Sequence, residues 1–135
     1  MLVARAVFQN KPTIEMQEQV DGYLSRAINK LGGGIYFREE TGQCGFAVGM
    51  PAIIVDEVYR TVSSTLEQLQ HNLAILSEGR VTLFISEIFS AKLAEEEYEK
   101  LIELEHFIFF YADKPILSAA YIQRHTLNQE KTLDD

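Results

Sequence analysis

The sequence predicts an α+β fold, a two-layer antiparallel sheet with its helices on one face. Three observations lead there. Short runs rich in β-branched and aromatic residues alternate with amphipathic segments. The two longest of those segments repeat apolar residues at helical spacing, so each has one face to bury. Glycine and proline clusters fall between the runs, where the chain must turn. The 135 residues suit one domain that can bury its own core. A composition of 47 % hydrophobic and 24 % charged residues is that of a globular chain.

Residues 2–9 read as a strand containing Val3 and Phe8, ended by Asn10-Lys11-Pro12. Thr13 is placed to cap a helix, with Glu15 and Glu18 in its first turns, where carboxylates suit the helix dipole. Val20, Tyr23, Leu24, Ala27, Ile28 and Leu31 line one face, and Gly32-Gly33-Gly34 stop the helix. Ile35–Arg38 and Gly45–Gly49 form a hairpin turning at Thr41-Gly42, and Pro51 ends its second strand.

Val55, Tyr59, Val62, Leu66, Leu69, Leu73 and Leu76 then follow at steps of 4, 3, 4, 3, 4, 3. That is the seam of one long helix, with Asp56 to cap it and Gly79 to end it. A competing reading starts the helix near Thr65, at the capping box Ser64-Thr65-Leu66-Glu67, after a β-branched strand over 53–62. The unbroken spacing through Val62 favours the long helix. Val81–Ile85 is a strand, and Ser90 caps a helix with Ala94, Tyr98, Leu101 and Ile102 on one face. Phe107–Tyr111 is a strand apolar on both faces, turned by Asp113-Lys114-Pro115 into a strand over Ile116–Ile122. The first six elements run βαββαβ, the ferredoxin-like order, and α-β-β extends it. Residues 1–122 form the domain; the polar 123–135 form a flexible tail.

Charge narrows the function. Twenty Asp+Glu against 12 Lys+Arg leave a net charge of −8. That disfavours nucleic acid, whose binding draws on cations, and anionic membrane surfaces for the same reason. The N-terminal apolar stretch is broken by Arg5 and too short for a signal peptide, and no run reaches membrane-span length. The single cysteine, Cys44, permits no intrachain disulfide and fits a reducing compartment. A cytoplasmic protein is expected.

Motifs that carry chemistry are weak. Cys44 has no base or cation beside it in sequence to activate the thiol. Glu103-Leu104-Glu105-His106 contains one Glu-x-x-His, where a di-iron bundle needs two; it reads as a solvated acidic face. Gly32–Gly34 follow a helix and precede a strand, the reverse of a phosphate-binding loop. His71 projects away from the seam and His125 lies in the tail. No catalytic residue, cofactor or metal is assigned.

Two features point to association. The first is the heptad seam with Leu66, Leu69 and Leu73. The second is the strand with Phe107 on one face and Ile108 and Phe110 on the other, which a two-layer domain covers on one side only. The leading expectation is therefore a non-catalytic interaction or regulatory module that forms a homodimer, with Phe107, Ile108, Phe110, Leu66, Leu69 and Leu73 as interface candidates. A second expectation is an acidic chaperone, immunity or antitoxin-like protein masking a basic partner. Glu95, Glu96, Glu97, Glu99, Glu103 and Glu105 would flank the apolar strand and select a partner with a basic rim. A third is a small enzyme sited at the 35–49 hairpin, using Tyr36, Arg38, Glu39 or Cys44. Adjacent strand residues point to opposite faces, so Arg38 and Glu39 would not share a pocket.

Overall fold

A computed structural model describes residues 2–49, 56–86, 94–105 and 115–118. Its elements are β1 (Leu2–Phe8), α1 (Gln17–Lys30), β2 (Gly34–Arg38), β3 (Cys44–Val48), α2 (Asp56–Ser77), β4 (Val81–Ile85), α3 (Ala94–Leu104) and β5 (Ile116–Ser118). The fold is α+β. The strands form one sheet in the order β2-β3-β1-β4-β5. The pairs β2–β3, β3–β1 and β1–β4 are antiparallel, and β4–β5 is parallel. The sheet is thus mixed, where an antiparallel one was expected. The reason is the connection: α3 lies between β4 and β5, and a long crossover returns the chain in its original direction.

The helices also do not share one face. Along β1, Leu2, Ala4, Ala6 and Phe8 enter a core with α1 and α2, while Val3 and Val7 enter a second core with Leu101 and Leu104 of α3. Successive strand residues face opposite sides, so α3 lies across the sheet from α1 and α2. All seven residues of β1 are buried. Helix α2 runs unbroken from Asp56, and its Val62, Leu66, Leu69 and Leu73 pack in the first core. The seam from Val62 to Leu76 therefore faces the sheet and α1, whereas Tyr59 is 56 % exposed and Val55 lies outside the described residues.

Local chemistry sets the ends. Thr13 is extended but makes no side-chain cap; a 3-10 turn over Ile14–Met16 leads into α1 instead. Gly32 and Gly33 take positive φ after α1, and the Gly33 N–H donates to the Ile28 carbonyl at 2.9 Å. At the end of α2 the left-handed position falls one residue before the expected glycine, on Glu78 with φ 53°. Gly79 serves close approach: a Cβ there would come within 2.6 Å of the Asn10 amide nitrogen, which donates to the Glu78 carbonyl. The expected strand over 107–111, the continuation past Ser118 and the tail over 123–135 lie outside the described residues.

Candidate functional site

The most concentrated polar chemistry lies under α3. Arg5, in the middle of central strand β1, is 3 % exposed. Its Nε and Nη2 donate to the two oxygens of Glu39, at 2.7 and 3.0 Å, and its Nη1 donates to Glu105 at 3.1 Å. The Tyr98 hydroxyl donates to Glu39 as well. The Tyr98 ring stands edge-on to Phe37, with centroids 4.4 Å apart. Beneath that ring is Gly45, where a Cβ would come within 2.6 Å of it. One carboxylate thus ties β1, the end of β2 and α3 together.

Electrostatics make this cluster a clamp. The hydrogen bonds from Arg5 hold the Glu39 carboxyl below its ordinary range, outweighing the opposite effect of burial. Burial by itself would lower the Arg5 pKa, but Glu39 and Glu105 raise it instead. Burial, then the bond to Glu39, raises the Tyr98 hydroxyl. A general base needs a free lone pair and a pKa near the working pH. Glu39 is ill suited to that, because Oε2 accepts from both Arg5 and Tyr98, Oε1 accepts from Arg5 and, at 3.4 Å, from Thr41, and its pKa is lowered rather than raised toward neutrality.

The hairpin residues do not converge. Arg38 pairs with Asp21 of α1, on the sheet face opposite the one where Glu39 meets Arg5. Tyr36 is 40 % exposed. Cys44 lies in the first core, where burial, followed by the charges of Asp21 and Glu39, pushes its thiol up to about 12. A thiol so placed is no nucleophile at neutral pH. Leu66, Leu69 and Leu73 are buried in the same core and present no surface to a partner. Phe107, Ile108 and Phe110 fall outside the described residues. Of the acidic residues on α3 and just after it, Glu97 is buried and Glu105 binds Arg5, so they do not form an uninterrupted acidic face. Among the described residues no group of three acidic, histidine or cysteine side chains is set to hold a metal, and no helix is long and apolar enough to cross a membrane.

Sequence reasoning missed Arg5, Tyr98 and Glu105 as partners. It also missed the open edge of the sheet. Strand β2 pairs with β3 on one side and with no strand on the other among the described residues. Ile35 is 66 % exposed there, beside Tyr36. The Glu39 N–H donates to the Gln43 carbonyl at 2.8 Å, in the same register as the β2–β3 pairs. Antiparallel bonding alternates, so Ile35 and Phe37 bond to β3 while the backbone groups of Gly34, Tyr36 and Arg38 point outward. No family model, curated protein or solved structure matches the chain.

Proposed function

We propose that this chain is a non-catalytic interaction module that self-associates through the β2 edge. The observation that carries this reading is the five-residue edge, which pairs with no further strand among the described residues and exposes Ile35 and Tyr36. Edge strands are commonly guarded by proline, lysine or a bulge. β2 contains no proline or lysine, and its one charge, Arg38, is drawn to Asp21.

The favoured occupant is a second copy, because the strand is self-complementary about a two-fold axis at Tyr36. Gly34 then faces Arg38 of the other copy, so no like charges oppose. Each outward-facing pair exchanges both N–H···O bonds. Ile35 meets Phe37 across the seam on the α3 face of the sheet. The antiparallel β2-β3-β1-β4 order, with α1 and α2 on one face, supports a ferredoxin-like core to which α3 and β5 are additions. The lone buried thiol suits a cytoplasmic setting.

Sedimentation equilibrium across micromolar concentrations tests the reading, with a monomer–dimer equilibrium as the expected result. Tyr36→Pro removes an outward N–H that β3 does not use, so the monomer should keep its fold and lose the dimer. Ile35→Lys should do the same. A wild-type chain that stays monomeric at every concentration sinks the proposal.

A further inference from the structure

On the face away from α3, the α1 and α2 helices leave a groove of about 280 Å³ between them. Its charged lining is entirely cationic, Arg26 and Lys30, in a chain whose net charge is −8. Neither cation has an ion pair among the described residues. Arg26 is held in place: its guanidinium lies 4.8 Å from the Tyr23 ring centroid, and its Nε donates to the Gly22 carbonyl at 3.2 Å. That leaves its terminal nitrogens for a fork-like contact.

The opposite wall is polar and preset. Gln68 Nε2 donates to Asn72 Oδ1 at 3.0 Å, which leaves the Asn72 amide hydrogens for another acceptor. Thr65 also lines the groove. The residue as a whole is only 6 % exposed, so its side chain is fixed by the packing of α2.

We infer that this groove binds a small organic anion through a carboxylate or phosphate group. Arg26 and Lys30 take the charge, while Thr65 and Asn72 bond its polar body. The groove is near the lower end of the usual size range of small-molecule sites, so the ligand is compact. This site is separate from the β2 edge, and its test does not depend on dimerisation.

The test is a titration of the full chain with inorganic phosphate and, separately, with succinate, read by amide NMR shifts at constant ionic strength. Saturable shifts confined to residues 23–30 and 65–72 are expected. Arg26→Gln and Lys30→Gln should each weaken binding by about tenfold. Arg80→Gln, a surface cation outside the groove, should leave it unchanged. Preference for phosphate or for succinate identifies which anionic group the site takes. Non-saturating shifts with both probes, or shifts equally weakened by Arg80→Gln, overturn the inference. Thr65→Val separates a built site from simple charge attraction: a folded variant that binds both anions as the wild type does removes Thr65 from the site and overturns the proposed arrangement.

Discussion

At the residue scale, two positions hold a conformation or a group that their surroundings do not fully suit, and a third sets a pH dependence. Glu78 ends α2 in the left-handed region, which costs a non-glycine residue on the order of 1 kcal/mol. Glu78→Gly should therefore raise stability by about 1 kcal/mol in urea unfolding, and a loss of stability would refute the strain. Thr82 is fully buried in β4, and its hydroxyl has no partner among the described residues. Thr82→Val keeps the shape and removes the orphan group, so a gain of about 1 kcal/mol is expected in the same assay. Glu39 sets a pH dependence. Its folded-state carboxyl lies below the ordinary 4.5, chiefly because Arg5 donates to it. A depressed acid stabilises the fold fully above its unfolded pKa, and that stabilisation is lost as pH falls through the folded value. Stability should thus decline below about pH 4.5, and Glu39→Gln should flatten that part of the profile. An unchanged acid limb in the variant would show that other carboxylates set it.

At the element scale, α3 is the part of the fold whose attachment rests on polar contacts as well as on apolar ones. Leu101 and Leu104 pack on Val3, Val7 and Phe84, while Tyr98 and Glu105 reach the Arg5–Glu39 pair. Tyr98→Phe keeps the ring over Gly45 and removes the hydroxyl bond. It should cost about 1 kcal/mol and speed hydrogen exchange in α3 more than in α2. Equal acceleration in both helices would mean that α3 has no separate docking step. Gly45→Ala should be worse, by about 2 kcal/mol, because its Cβ meets both the ring and the Ala4 carbonyl. Helices α1 and α2 and strand β4 were legible because periodicity reports directly which face is buried. The side of the sheet on which α3 lies was not. Its signal was present in β1, where Leu2, Ala4, Ala6 and Phe8 are apolar on one face and Val3 and Val7 on the other. Arg5 obscured it, since a lone cation in a strand reads as an interruption. Its partners stand 34 and 100 residues away, and no local pattern records a pairing at that separation. On α3 the expected face was right at Tyr98 and Leu101, which pack in the second core, and wrong at one position. Leu104 is buried, whereas Ile102 is 39 % exposed.

At the scale of the whole molecule, net charge decides between the two kinds of association that the sequence suggested. Two copies joined at β2 each bring −8, so their long-range interaction is repulsive. Salt screens such repulsion within a Debye length of about 10 Å at 0.1 M, but leaves backbone hydrogen bonds and apolar contacts between Ile35 and Phe37 largely intact. Self-association should therefore tighten as sodium chloride rises from about 0.05 to about 0.5 M. A complex with a basic partner has the opposite sign, because screening weakens its attraction and slows its encounter. One measurement reads both: the dissociation constant from sedimentation equilibrium at the two salt concentrations. A constant that falls with salt fits a dimer built on backbone pairing against charge repulsion. One that rises would mean the contact surface is mainly electrostatic, which an edge carrying Gly34, Ile35, Tyr36 and Phe37 does not provide. The double variant Ile35→Lys, Tyr36→Pro should abolish association at both salt concentrations, and dimer that persists in it would move the interface away from β2.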